Sequence, residues 1–249
     1  MGCERPQGGG LDGAASRPGA GAPAARLGSA EADRLVGPGA AAAASARGDT
    51  GAAGGLQGGL DAAVAEARAA HPDRPVEVWA EDEHRLGLKP IRRRVWAPRG
   101  QRPIALGHHR YQWLHVAAFV QPTSGEAVWY LCSSLSKPFF AELLATFARE
   151  TGAGRERNII LVLDNAGWHG PKGLVVPEGI SLVFLPPYSP ELQPAEHLWP
   201  LVDEPIANRH VASLDELSTI VAARCRQLDA AALKPHTDFH WWPRPIQPS

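Results

Sequence analysis

Three acidic residues in this sequence stand where carboxylates can do chemistry. Asp82 lies in "WAEDE", Asp164 in "VLDNAG" and Glu196 in "PPYSPELQPAEHLW". The first two close segments that read as strands. The third falls just inside a helical segment whose first turn carries Pro194. If the two strands are neighbours, their tips sit one strand spacing apart, and a helix packed beside them brings in the third acid. Crowded carboxylates raise one another's pKa, and a hard divalent cation removes that cost. Mg²⁺ and Mn²⁺ prefer oxygen ligands. Two such ions about 4 Å apart activate a water and stabilise the leaving oxygen of a phosphodiester. Each acid also has a plainer reading. The "EDE" run reads as a solvated strand edge, Asp164 as a turn former, and Glu196 as a first-turn residue favoured by the helix dipole, with Glu191 competing for its place.

The elements that must position these acids follow from hydrophobic period. "VEVWAED" (76–82), "RRRVWAPRG", "WLHVAAFV" (113–120) and "EAVWYLCS" (126–133) read as strands, as do "NIILVLD" (158–164) and "SLVFLP" (181–186). "KPFFAELLATFARETG" carries a helical stripe through Phe139, Leu143 and Phe147 that stops at Gly152. "SPELQPAEHLWPLVDEPIANR" reads as mainly helical, interrupted at Pro200 and Pro205. A last helix, "SLDELSTIVAARCRQLDAAAL", opens on Ser213 as N-cap with Glu216 at the capping-box position. Upstream, "LDAAVAEARAAHP" gives a helix from Leu60, with Val64 and Ala67 on the same face. Strands, then helix, strand, strand and helix predict an α/β domain with a mixed sheet flanked by helices.

Composition places the boundary of that domain. Of the first 60 residues 32 are Gly or Ala, and all 17 aromatic residues lie after position 78. Such a segment lacks the large side chains whose burial offsets backbone ordering. Residues 1–58 are therefore expected to be a disordered Gly/Ala-rich leader, and residues 59–249 the folded domain. The formal charge of −1 advertises no polyanionic partner overall. Three dispersed cysteines without a CxxC pair argue against a disulfide framework or a zinc knuckle. No segment approaches the ~20 apolar residues of a membrane span, and no secretory signal opens the chain. A soluble, cytoplasmic protein is expected.

Charge is unevenly spread. Between Arg85 and Arg110 lie eight basic residues (Arg85, Lys89, Arg92, Arg93, Arg94, Arg99, Arg102 and Arg110) and no acid. With Trp96, Pro98 and Gly100 among them, this stretch reads as a surface that contacts nucleic-acid phosphates without reading sequence, against the plainer alternative of a solvated hairpin. Asn165, just after Asp164, is placed to orient that acid or a metal-bound water, and His169 to support the same site or contact phosphate. For His169 and His197 the plainer reading is a structural histidine. Tyr188 either lines the site or packs beneath it. Trp199 reads as core, and "HWWP" (240–243) as either a subunit interface or a clamp over the domain's own surface.

At these residues the chain resembles a known family. "VWAEDEHRLGL", "RRVWAPRGQRP", "LVLDNAGWH" and "PPYSPELQPAEHLW" together look like the DDE-type transposases of bacterial insertion sequences related to mariner elements. The resemblance implies a ribonuclease H-like catalytic domain with two Mg²⁺ (or Mn²⁺) ions held by Asp82, Asp164 and Glu196. It implies cleavage of a phosphodiester at a transposon end, then attack of the freed 3′-hydroxyl on target DNA. It also implies double-stranded DNA as partner, a homodimer on that DNA, and a bacterial cytoplasmic location, nucleoid-associated when bound. Members carry N-terminal helix-turn-helix modules. Residues 1–58 offer no two amphipathic helices joined by a short turn, so a separate helix-turn-helix subunit is expected. An inactive DNA-binding remnant, or a ribonuclease H-like nuclease without strand transfer, are the alternatives.

Overall fold

The computed structural model describes residues 35–36, 50–101, 104 and 111–248. Most of the expected leader, and Arg102 and Arg110, lie outside the described residues. In chain order the elements are β1 (Leu35–Val36), α1 (Thr50–Ala70), β2 (Val76–Gly87), β3 (Ala97–Pro98), β4 (Trp113–Gln121), β5 (Glu126–Cys132), α2 (Lys137–Thr151), β6 (Asn158–Leu163) and β7 (Ile180–Phe184). After these come two 3₁₀ turns (Pro190–Leu192 and Pro194–Leu198), α3 (Trp199–Asp203), α4 (Leu214–Gln227) and α5 (Ala230–Thr237).

Five strands form one sheet in the order β5-β4-β2-β6-β7. β5, β4 and β2 are antiparallel neighbours, whereas β2, β6 and β7 run parallel. That order and those directions are the ribonuclease H-like arrangement, a mixed sheet with helices on both faces. One face packs Trp79, Phe119, Leu161 and Leu163 against the α2 stripe of Phe140, Leu143, Leu144 and Phe147. The other packs Val78, Ala80, Val116, Ala118, Ile160 and Val162 against α1, the second 3₁₀ turn, α4 and Trp242. α2 is bounded as its sequence dictates: the Ser136 hydroxyl accepts the Phe139 N–H at 3.4 Å, and Gly152 closes it in the left-handed conformation.

The elements depart from expectation in five places. α1 starts at Thr50, not Leu60, despite glycines at 54, 55, 58 and 59. Each glycine costs a helix about 1 kcal/mol, but burying Leu56, Leu60 and Val64 contributes about 1.5–3 kcal/mol apiece, so tertiary packing decides. β2 runs on past Asp82 to Gly87, because Leu86 and Leu88 resume the apolar alternation. "RRRVWAPRG" contributes only the two residues of β3, paired with β1. The proline-rich stretch 190–203 breaks into two 3₁₀ turns and the short α3. The last helix divides at Leu228, where Asp229 caps α5 by accepting the Ala232 N–H at 2.9 Å.

The aromatic tail is a clamp on the domain itself. Trp242 is buried with its indole N–H donating to the Val78 carbonyl at 3.3 Å, and Ile246 pairs with Val76 at the start of β2. No helix among the described residues is long and apolar enough to cross a membrane. Cys225 is free and buried.

Candidate active site

β2 alternates its side chains between the two faces of the sheet. Val76, Val78 and Ala80 face the α1–α4 side and Trp79 faces α2, so Asp82 points to the former side and Glu81 and Glu83 to the latter. The "EDE" run is therefore no solvated edge. Glu81 is fully buried, Asp82 is 7% exposed, and the Glu83 side chain is 4% exposed. Ala80 pairs with Val162 in the parallel register of β2 and β6. Two residues further along, the same register sets Asp164 beside Asp82, one strand spacing of about 4.8 Å away.

Glu196 comes from the second 3₁₀ turn. Ala195 and Leu198 anchor that turn in the core, and Pro194 starts it. The buried Gln193 amide donates to the Glu81 carbonyl at 2.9 Å, which ties the turn to β2. Trp199 makes a second tie: its indole N–H donates to Asp82 Oδ2 at 2.7 Å, while its ring stacks on His84, whose Nε2 lies 2.9 Å from Asp203. The three acids thus line one cleft of about 400 Å³, shared with Asn165, Tyr188 and Gln193.

The two aspartates sit in different electrostatic settings. Burial, then the charge of Glu196, push the Asp82 pKa up to about 8, although the Trp199 hydrogen bond works the other way. Asp164 is half exposed and lies below the usual carboxylate range, because His169 Nδ1 meets its Oδ1 at 2.7 Å and the Ala166 N–H donates to the same oxygen at 2.9 Å. His169 has no exposed surface. Its Nε2 lies 3.1 Å from Glu83 and 3.5 Å from Glu81. Burial pulls its pKa down, but hydrogen bonds to Asp164 and Glu83 and the charge of Glu81 outweigh it and push the value up to about 11. Both ring nitrogens face carboxylates, so His169 is an imidazolium that donates on both sides. Glu81 is held far above the usual carboxylate range by burial and by Glu83, and neither of its oxygens accepts a hydrogen bond.

The donor set fits a hard divalent cation. Three carboxylates, one of them kept from ionising by burial and a like charge, favour an oxygen-seeking ion such as Mg²⁺ or Mn²⁺. Among the described residues, the three-ligand groups with atoms within 4.8 Å of one another reduce to Glu81, Glu83 and His169. Asp82, Asp164 and Glu196 do not converge to that spacing.

The remaining expected residues divide. His169 is bonded to Asp164, an arrangement beyond the phosphate contact or plain structural role read from the sequence. Asn165 lines the cleft but donates its amide to the Leu185 carbonyl at 2.7 Å, so it joins the tips of β6 and β7 rather than holding Asp164. His197 packs against Phe239, with ring centroids 5.1 Å apart. Arg85, Lys89, Arg92, Arg94 and Arg99 are exposed, and Arg85 lies 4.4 Å over the Trp113 ring. Arg93 donates to the Pro200 carbonyl at 2.8 Å, and its main chain exchanges two hydrogen bonds with the Asn208 side chain. That residue fastens the basic segment beside the acid-bearing turn. Glu81, Glu83, Gln193 and the polar role of Trp199 escaped the sequence reading. The available signal was the alternation of Leu86 and Leu88, which keeps the "EDE" run inside a strand.

A family model described as DDE superfamily endonuclease matches residues 77–218, a span that holds all three cleft acids. The chain belongs to the DDE superfamily of endonucleases. A relative in Sinorhizobium fredii (strain NBRC 101917 / NGR234), the uncharacterized protein y4pE/y4sA, is 33% identical over 117 residues, covering 47% of this chain and 85% of that protein. Among solved structures, this DDE chain is similar to a Mos1 transposase paired-end complex with the left transposon end (15% identity, TM-score 0.49, 75% of this chain and 59% of that one). It is also similar to the catalytic domain of Mos1 mariner transposase (13% identity, TM-score 0.44, 73% and 84%). The chain therefore spans less than two thirds of the length of the Mos1 chain in that paired-end complex.

Proposed function

We propose that this chain is the catalytic part of a DNA transposase, which cleaves a phosphodiester at a transposon end and joins the freed 3′-hydroxyl to target DNA. The observation that supports the reading is the single cleft bounded by Asp82, Asp164 and Glu196. Those three carboxylates are the proposed ligands of two Mg²⁺ or Mn²⁺ ions. When bound, such ions supply Lewis-acid activation of a water or hydroxyl and neutralise charge on the phosphate. The chain's own residues do the rest. His169 fixes one oxygen of Asp164. Trp199 fixes Asp82 Oδ2. Arg85, Lys89, Arg92, Arg94, Arg99 and Arg102 are the proposed phosphate contacts that position DNA. Both chemical steps are in-line displacements at phosphorus, so one site serves both and no protein nucleophile is required.

Residues 59–249 are the proposed catalytic domain, with α1 adding its first turns to the same core. Double-stranded DNA, a second copy of the chain and a separate helix-turn-helix subunit are the proposed partners. Incubation of supercoiled plasmid with the protein and Mg²⁺ or Mn²⁺ tests the reading. Metal-dependent nicking by the wild type and none by Asp164→Ala is expected, and capture of a joined 3′ end separates transposase from simple nuclease. Equal background from both proteins would overturn the proposal.

A further inference from the structure

The Tyr188 side chain lines the cleft beside Asp164 and Glu196 but is fully exposed, at 101%, so it contributes no burial to the fold. Its φ is +60°, a left-handed conformation that a bulky residue rarely adopts and that glycine or asparagine accepts at little cost. Strain of this kind survives only where surrounding structure imposes it. Here the loop is fixed at both ends. The Leu185 N–H donates to the Leu163 carbonyl at 2.8 Å, and the Asn165 amide donates to the Leu185 carbonyl. At the far end Gln193 is bonded to Glu81. Pro186, Pro187 and Pro190 stiffen what lies between. A large aromatic ring is thus held at the cleft's mouth, in fixed relation to both aspartates and without a partner of its own.

From this we infer that Tyr188 is a stacking platform for a nucleobase next to the phosphate being cleaved or joined. A ring presented on a rigid loop offers its face to a base, and every base has a face to offer, so the contact is independent of sequence. The phenol is not required for stacking. Tyr188 is a positioning residue, and its contribution is to hold the strand so that the phosphate meets the carboxylates. This rests on DNA being the substrate of the cleft.

The test uses the full chain, in Ca²⁺ to prevent cleavage, with a mixed-sequence duplex carrying 2-aminopurine in an unpaired overhang. Wild type and Tyr188→Phe quench the 2-aminopurine on binding; Tyr188→Asn binds about tenfold or more weakly and does not quench. In Mn²⁺, Tyr188→Asn nicks plasmid about tenfold more slowly than wild type. Its melting temperature equals or exceeds that of the wild type, because asparagine accepts the left-handed backbone, so the loss is not one of folding. Equal quenching and equal nicking by Tyr188→Asn would sink the platform while leaving the transposase reading intact. Failure of the wild type itself to bind or nick DNA would sink both.

Discussion

Asp164 and Glu196 face the same cleft but are held in opposite ways. Asp164 ends a strand buried along its whole length, and two donors grip one of its oxygens. Behind it, His169, Glu83 and Glu81 form a fully enclosed ionic stack, walled by Phe140 with its ring 4.4 Å from the imidazole. Glu196 sits exposed on a single 3₁₀ turn, and no side chain among the described residues hydrogen-bonds its carboxylate. The contrast separates two demands on one site. The aspartate side is set before anything binds, because the sheet and the ion stack leave it no alternative. The glutamate side gains its partners from what enters the cleft.

The largest expected effect breaks that contrast at its weak end. Glu196→Gln should lower plasmid nicking by more than about 100-fold while changing stability by less than about 0.5 kcal/mol, as an exposed substitution does. A comparable loss of stability in thermal melts would show that Glu196 is structural after all. At the rigid end the pattern reverses. His169→Ala leaves three acids around a vacated cation, and removing one partner of a buried ionic network costs about 3–5 kcal/mol. The melting temperature should fall on the order of 10 °C, with nicking lost even in the folded fraction. Trp199→Phe, which removes the donor to Asp82 together with one ring of the buried indole, sharpens the comparison from between: about 1–3 kcal/mol of stability and a 10- to 100-fold loss of nicking are expected.

The last test is a pH slope. Asp82 has a folded pKa of about 8 against an ordinary 3.8, so its ionisation is resisted in the folded protein. That contribution is intact below about pH 3.8 and is lost as pH rises through about 8. Without divalent ions, wild type should therefore lose stability across that window more steeply than Asp82→Asn. Mn²⁺ should raise the melting temperature more at pH 8 than at pH 5, because its ligands bind as anions. Identical slopes for the two proteins in EDTA would show that Asp82 is not the group responsible.

Much of the site was legible in the sequence, for physical reasons. Asp164 stood out because five apolar residues precede it, which fixes a buried strand and its tip. Glu196 was separated from Glu191 only by the family resemblance, since both acids lie among the same prolines. The sheet with its flanking helices followed from period alone. Asp82 was located for an incomplete reason, since its strand does not end there but continues into Leu86 and Leu88. The buried carboxylates Glu81 and Glu83 were hidden, because a run of three acids looks the same whether it is solvated or threaded through a sheet. Their burial depends on donors from a different element, the His169 imidazolium and the Trp168 indole N–H that meet Glu83, and those pairings span more than 80 residues of sequence. The extent of α1 was missed because glycine content argues against a helix, and the compensating burial of Leu56 depends on a sheet formed later in the chain.

The alternation of faces along β2 carries a consequence for how this gene can vary. Gaining or losing one codon between Val76 and Glu81 would exchange the two sides of the strand, turning Asp82 into the apolar layer under α2 and offering its neighbours to the cleft. Lineages that keep the activity should preserve the residue count of this stretch along with the buried character of Val78, Trp79 and Ala80.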